Sequence, residues 1–105
     1  LPPVCPDCGA ILKPDIVLFG EPLPHEVITR AYSLAEECDL MLVIGTSVNV
    51  WPAAGIPFAA LEAGAHLIEI NPARTELPRS EKVISIRRKA GEILPHITGL
   101  LQEKR

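Results

Sequence analysis

The chain has 105 residues, of which 10 are Lys or Arg and 13 are Asp or Glu, giving a net charge of −3. With 48% hydrophobic and 22% charged residues it is too apolar for a disordered tail, and its length fits one small domain or part of one. No basic cluster suggests a nucleic-acid partner, and the longest apolar run, residues 40–45, is far short of the roughly 20 residues that cross a membrane.

The first motif along the chain is the C-x-x-C turn CPDCG at residues 5–9. Two thiolates at this spacing can bind one metal ion from a tight turn, in which Gly9 permits a positive φ. A redox pair is one alternative, but that chemistry is typical of a helix start directly after a strand. Unligated surface thiols are another. We expect Cys5 and Cys8 to form half of a tetrahedral zinc site, with the other two ligands outside this chain.

The cysteine content also bears on the compartment. Three cysteines, an odd number, do not make the disulfide framework of a small secreted protein. The sequence shows no secretory signal, namely a basic region followed by an apolar stretch and a cleavage site. We therefore expect a reducing, cytoplasmic location.

Short aliphatic runs alternate with helical patterns along the rest of the chain, which is typical of an α/β fold. Residues 15–19, apolar and β-branched, predict a buried strand. Residues 40–44 are apolar on both faces and predict a central parallel strand covered by helices on each side. Two further strands are predicted at residues 67–70 and 83–86.

Three helices are predicted between and after these strands. An apolar face recurs at helical spacing over residues 27–38, where Cys38 is expected to be a small core residue. Residues 53–63 predict a second helix ended by Gly64, and residues 91–104 a third. The order strand, helix, strand, helix, strand, loop, strand, helix favours a parallel sheet with right-handed crossovers.

Polar residues follow two of the predicted strands. Gly45, Thr46 and Ser47 come after the most hydrophobic strand, at the carboxyl end where open α/β sheets bind ligands. Asn71 and Pro72 end the next strand and are expected along the same edge. A turn with a helix cap is the alternative for the first segment, and neither segment is a G-x-G-x-x-G fingerprint.

Aromatic residues and histidines are few. Residues 19–21, Phe-Gly-Glu, end the first predicted strand, and their plain structural interpretation is a core Phe followed by a turn. Trp51 is expected to cover a loop or to line the mouth of a pocket. None of the three histidines has a neighbouring nucleophile, so each is expected to be an ordinary surface or core residue.

Five segments together resemble, over residues 3–97, the second half of a sirtuin, the family of NAD-dependent protein-lysine deacylases. They are CPDCG, KPDIVLFGEPLP, LMLVIGTSVNVWPAA, LIEINP and KAGEILP, in this order. The resemblance implies a partial Rossmann-like parallel sheet of about four strands with flanking helices, preceded by half of a zinc-ribbon module. Residues 1–14 would be the second half of that zinc-binding module, and residues 15–105 the C-terminal part of the NAD-binding domain.

The resemblance also implies roles for individual residues. The segment ending in FGE would hold an acyl-lysine protein or peptide by strand addition. Val17 would accept a hydrogen bond from the acyl-lysine amide, Phe19 would wall the acyl-lysine channel, and Gly20 and Glu21 would lie beside the peptide backbone. The positions matching NAD contacts are Gly45, Thr46, Ser47, Asn71, Pro72, Ala73 and Ala90. Cys5 and Cys8 match the second cysteine pair of the zinc site, and Arg88 stands where the family commonly has Gly.

The implied reaction transfers the acyl group from lysine to ADP-ribose and releases nicotinamide, with a histidine as general base. That histidine, the glycine-rich loop, the Gln-Asn-x-Asp motif and the first cysteine pair belong upstream of residue 1. The single Met, residue 41, likewise indicates a processed product or a piece of something longer. We expect this chain alone to be inactive, and His25 does not match the catalytic position. A non-catalytic zinc or nucleotide-binding module and a degenerate relic are the alternatives.

Overall fold

The computed structural model describes residues 2–104, which fold as an elongated α/β structure measuring 54 × 30 × 28 Å. Its elements in chain order are α1 (His25–Glu37), β1 (Leu40–Ile44), α2 (Gly55–Glu62), β2 (His66–Ile70), β3 (Val83–Ile86) and α3 (Ala90–Glu103). The strands form one sheet in the order β1-β2-β3, and both pairs are parallel. The predicted α/β class and parallel sheet are confirmed.

The register of the sheet brings the carboxyl ends of its strands together. Ile44 pairs with Ile70, and Ile70 pairs with Ile86. Helix α2 provides the crossover from β1 to β2, whereas residues 71–82 connect β2 to β3 as a loop. Residues that follow the three strands therefore meet at one edge of the sheet, as predicted for those after β1 and β2.

The core lies between one face of the sheet and helices α1 and α2. Its fully buried members are small or aliphatic: Ala35, Val43, Val48, Ala54, Ala60, Ala65 and Leu67. Small side chains on both helices let their backbones approach closely, and the larger Leu67 of β2 fills the centre of the cluster with no exposed surface. Cys38 packs against this cluster and donates a hydrogen bond to the Ala35 carbonyl at 3.2 Å.

The other face of the sheet remains open within the described residues. Leu40 and Leu42 of β1 are 52% and 53% exposed, and Ile84 of β3 is 57% exposed. The prediction that residues 40–44 form a central strand covered on both faces is therefore wrong for residues 2–104. There β1 lies at the edge of the sheet and β2 occupies its centre. The apolar sequence of β1 predicted burial on both faces, but within residues 2–104 only the face toward α1 and α2 is covered.

The predicted first strand at residues 15–19 is also absent, so the described part of the chain has three strands in this sheet where about four were predicted. Residues 18–21 instead form a turn, in which the Glu21 N–H donates to the Leu18 carbonyl at 3.0 Å and Gly20 has a φ of 86°. Such a positive φ at the third position of a turn strongly favours glycine. The turn places Phe19 at a corner, where it is 92% exposed, so the interpretation of Phe19 as a core residue is wrong.

The three predicted helices are present with small shifts at their ends. Helix α1 begins directly after Pro24, and α3 spans residues 90–103 against a prediction of 91–104. Helix α2 begins at Gly55, two residues later than predicted, because residues 51–54 form turns. Across residues 2–104, no helix combines the length and the apolar character needed to span a bilayer.

Candidate functional site

Gly45 opens the polar edge of the sheet. Its N–H donates to the Ile70 carbonyl at 3.0 Å, which ties the end of β1 to the end of β2. Its φ is 69°, a left-handed conformation that strongly favours glycine. Apart from Gly45 and its two chain neighbours, no atom of the described residues lies within 4 Å of where a Cβ on Gly45 would stand. The backbone here borders open space, so a ligand can approach it closely.

The hydroxyls of Thr46 and Ser47, which follow Gly45, differ in whether they can donate a hydrogen bond to a ligand. Thr46 Oγ1 accepts a hydrogen bond from the Val48 N–H at 3.2 Å, and within residues 2–104 its own proton has no acceptor. Ser47 Oγ donates to Asn49 Oδ1 at 2.6 Å, so its proton is already used. Thr46 can therefore donate to a ligand oxygen, such as one of a phosphate or a ribose, whereas Ser47 can only accept.

Val48, the residue after Ser47, is buried in a strained backbone conformation that the sequence did not reveal. It has a φ of 61°, which is unusual for a β-branched residue, and only 2% of its surface is exposed. Such a conformation costs about 1–3 kcal/mol and persists where surrounding packing enforces it. The turn carrying Thr46 and Ser47 is thus anchored in the core.

Asn71 joins the ends of all three strands. Its N–H donates to the Ile86 carbonyl at 3.0 Å, and its side-chain Nδ2 donates to the Thr46 carbonyl at 3.1 Å. Its Oδ1 accepts from the Ala73 N–H at 3.0 Å, closing a turn over residues 71–73. The structure therefore brings residues 45–47 and 71–73 together at one edge, while Ala90 begins α3 shortly after β3.

An ion pair between the buried Glu69 and the partly exposed Arg87 supports the turn at residues 71–73, and sequence reasoning missed it. Glu69 is 1% exposed, and its carboxylate accepts hydrogen bonds from Thr75, from Ser85 Oγ at 2.7 Å and from Arg87 Nη2 at 2.6 Å. Burial alone would raise the pKa of Glu69, but these three donors and the Arg87 charge outweigh it and lower that pKa. A carboxylate inside the apolar strand sequence LIEI was a sign that hydrogen-bond donors lie near it, but it did not identify Arg87 as the partner.

The second part of the candidate site is an apolar groove of about 530 Å³ between the turn at residues 18–21 and the loop at residues 50–53. The predicted substrate residues Val17, Phe19, Gly20 and Glu21 all line it. Trp51 lines it as well, as predicted for a pocket mouth, and its ring stacks on Phe58 with centroids 6.0 Å apart. The groove thus presents an aromatic and aliphatic surface to solvent.

The C-x-x-C segment forms a small hairpin. Val4 and Ile11 make an antiparallel bridge, and the Gly9 N–H donates to the Cys5 carbonyl at 2.9 Å. Backbone N–H groups of Cys8 and Asp7 face the Cys5 sulfur and lower the pKa of that thiol. No group of three or more metal-ligating side chains occurs among residues 2–104. The C-x-x-C spacing suits Cys5 and Cys8 as a pair of ligands to one metal ion, and a four-ligand site would need two more from elsewhere.

Comparison with known proteins gives one consistent result. Residues 1–52 match the Sir2 family. An NAD-dependent protein deacylase of Thermococcus kodakarensis is 48% identical over 95 residues, which are 90% of this chain and 37% of that protein. An NAD-dependent protein deacylase of Mycobacterium tuberculosis (strain H37Rv) is 50% identical over 101 residues, covering 96% of this chain and 40% of its own length.

Solved structures agree with these sequence relatives. A Sir2 homolog in complex with NAD superposes with a TM-score of 0.85 at 38% identity, covering 99% of this chain and 40% of that one. A Sir2 protein bound to acetylated peptide gives a TM-score of 0.78 at 31% identity, covering 92% of this chain and 40% of that one. The chain spans about 40% of the length of the curated relatives it matches.

Proposed function

This chain belongs to the Sir2 family, and on that premise we propose that it is part of an NAD-dependent protein-lysine deacylase. The proposed reaction transfers the acyl group of an acylated lysine to ADP-ribose and releases nicotinamide. The observation that carries the proposal is the meeting of residues 45–47 with residues 71–73 at the carboxyl edge of the sheet, beside an apolar groove. Relatives of this chain are named for the same activity.

The residues proposed to hold NAD are Gly45, Thr46, Ser47, Asn71, Pro72, Ala73 and Ala90. The open space beside Gly45 and the free proton of the Thr46 hydroxyl fit a nucleotide at this edge. When bound, NAD supplies the ADP-ribose acceptor and the nicotinamide leaving group. The role of this chain is to bind and orient it: Thr46 donates to an oxygen of the nucleotide, and Asn71 fixes the turn that borders the ribose.

The groove is proposed to bind the acyl-lysine peptide. Within the described residues, the backbone groups of residues 15–17 make no hydrogen bond to another segment, so an extended peptide can pair with them by strand addition. The Val17 carbonyl would then accept from the acyl-lysine amide. Phe19 would form one wall of the acyl channel, and Gly20 and Glu21 would lie along the peptide backbone.

Zinc is proposed as a structural ion at the hairpin. Cys5 and Cys8 would supply two thiolates, and the lowered pKa of Cys5 favours its ligating form. We assign residues 1–14 to the second half of this zinc-binding module and residues 15–105 to the C-terminal part of the NAD-binding domain. The free thiols and the proposed metal fit a reducing, cytoplasmic location.

A direct test compares the product of the complete reading frame that encodes this chain with the chain by itself. Each is incubated with NAD and a panel of acyl-lysine peptides, and nicotinamide release and peptide mass are followed together. We expect the complete product to release one nicotinamide for each acyl group removed and this chain alone to release none. An Asn71→Ala variant of the complete product serves as a control with an impaired proposed NAD site.

Two results would contradict the proposal in different ways. A complete product that neither deacylates any peptide nor binds ADP-ribose would remove the enzymatic assignment and leave a non-catalytic module or a relic. Sustained NAD-dependent turnover by this chain alone would leave the reaction class intact but refute its expected inactivity.

A further inference from the structure

We propose that Glu69 and Arg87 are positioning residues for the nucleotide, which hold the turn at residues 71–73 in the shape that the dinucleotide requires. The inference rests on the proposed NAD site. Neither side chain belongs to the residues assigned to NAD. Both act through the backbone of the turn that Asn71 and Ala73 form.

The first step is the geometry of the Arg87 guanidinium. Its Nη2 donates to Glu69 Oε1 at 2.6 Å, while its Nη1 donates to the Ala73 carbonyl at 2.9 Å and to the Asn71 carbonyl at 3.4 Å. A guanidinium is planar, so fixing one of its nitrogens fixes the direction of the other. The carboxylate of Glu69 therefore aims Arg87 at the two carbonyls of the turn.

The second step is that Glu69 is itself held rigidly. Its side chain is 2% exposed, compared with 37% for that of Arg87. Besides Arg87, the Ser85 hydroxyl donates to its Oε1 and the Thr75 hydroxyl to its Oε2, so both carboxylate oxygens are held. Ser85 lies opposite Glu69 in the register of β2 and β3, so the carboxylate is fixed to the sheet. The orientation of Arg87 is thus set by the rigid part of the molecule.

The third step links this network to the nucleotide edge, by which we mean the carboxyl edge of the sheet formed by residues 45–47 and 71–73. Asn71 Nδ2 donates to the Thr46 carbonyl at 3.1 Å, so the turn that Arg87 supports is attached directly to the segment after β1. A continuous path of hydrogen bonds runs from Glu69 through Arg87 and the turn to Thr46. Losing either charged residue would free the turn without removing any group that touches the nucleotide.

The experiment uses the complete reading-frame product with the substitutions Glu69→Gln, Arg87→Gln and Arg87→Lys. The dissociation constant for ADP-ribose is measured by calorimetry, and the KM values for NAD and peptide are measured separately. Matched controls are Arg30→Gln and Glu37→Gln, which remove exposed charges on α1, an element that carries no residue assigned to NAD. Cleavage by trypsin after the exposed Arg74 reports the order of the turn independently of activity.

We expect Glu69→Gln and Arg87→Gln to raise the ADP-ribose dissociation constant at least about tenfold, as loss of a charge-assisted hydrogen bond predicts. The KM for NAD should rise and the KM for peptide should not. Trypsin should cut after Arg74 faster in both variants. Arg87→Lys should lie between them and the wild type, because an ammonium cannot hold the carboxylate and the turn in one fixed plane.

The outcomes separate this inference from the function on which it rests. If the wild type binds ADP-ribose and the folded variants bind it equally well, the positioning role is overturned and the proposed function survives. If the wild type binds no ADP-ribose, both are overturned. Should Glu69→Gln fail to fold, the two Arg87 variants test the positioning role by themselves. The Arg87 side chain is partly exposed, so replacing it disturbs the fold less.

Discussion

Replacing Phe19 with Ala should separate substrate binding from folding stability. Phe19 is 92% exposed, so only about 8% of its surface is buried in contacts with this chain. A buried aromatic side chain removes roughly 150–250 Å² from solvent, so the contacts of Phe19 account for about 12–20 Å². At about 25 cal/mol per Å², the substitution should lower the free energy of unfolding by only about 0.3–0.5 kcal/mol.

The effect on the acyl-lysine peptide should be much larger. If Phe19 forms one wall of the groove, an acyl chain that packs against it gains about 1.5–3 kcal/mol from burial of the ring. The variant should then bind acyl-lysine peptide about ten- to a hundredfold more weakly. Urea denaturation measures the stability, and peptide titration of the complete reading-frame product measures the affinity.

A matched control is Leu101→Ala. Leu101 is 64% exposed on α3 and does not line the groove, so its loss should leave the peptide affinity unchanged. Because more of its surface is buried than that of Phe19, it should lower the free energy of unfolding more than Phe19→Ala does, which separates lost stability from lost affinity. A fall in unfolding free energy above about 1.5 kcal/mol for the Phe19 variant would show that the ring is buried in solution. Unchanged peptide affinity would refute the assignment of the groove.

Three further substitutions test the core, the nucleotide edge and the buried carboxylate. Gly45→Ala should cost about 1–2 kcal/mol in urea denaturation because the φ of 69° disfavours a Cβ, and it should weaken ADP-ribose binding; unchanged stability would mean that this φ is not populated. Leu67→Ala should cost about 2–5 kcal/mol, since Leu67 is completely buried, and a loss below about 1 kcal/mol would contradict its central place in the core. The pKa of Glu69 is lowered in the folded state, so its charge stabilises the fold above the usual carboxyl pKa, and this contribution disappears as pH falls through the lower folded-state pKa. The difference in unfolding free energy between wild type and Glu69→Gln should therefore shrink on acidification, and a difference independent of pH would refute the role of the charge.

Local sequence patterns were sufficient for most of the elements. Residues 83–86 were predicted as a strand and form β3, and the helical spacing of apolar residues located α1 to within two residues at its start. Both elements have apolar side chains that pack against the core cluster, namely Ala35 of α1 and Val83 of β3. The partners that these side chains need are therefore present in residues 2–104. Where an apolar run faces outward within this range, as at residues 15–19, the same pattern predicted a strand that is absent.

Some parts of the candidate site could be predicted from the sequence and others could not. Polar residues at strand ends could be placed at one edge because a parallel sheet aligns its carboxyl ends, and the Asn71–Thr46 hydrogen bond confirms that placement. The Glu69–Arg87 pair could not be found, because its members are 18 positions apart and meet only through the register of β2 and β3. The strain at Val48 left no sign in the sequence at all, since valine is an unfavourable choice for a positive φ.

A single loop connects the two parts of the candidate site and is attached to the rest of the fold at both ends. It leaves β1 at Gly45, passes through the buried Val48 and reaches Trp51 at the groove. The Tyr32 hydroxyl of α1 donates to the Pro52 carbonyl at 2.7 Å, so the far end of the loop is attached to a helix while its near end is attached to the sheet. A transfer between two bound partners depends on holding their reacting groups at a fixed distance. With both ends anchored, the loop holds the nucleotide edge and the apolar groove in one geometry, as the proposed acyl transfer requires.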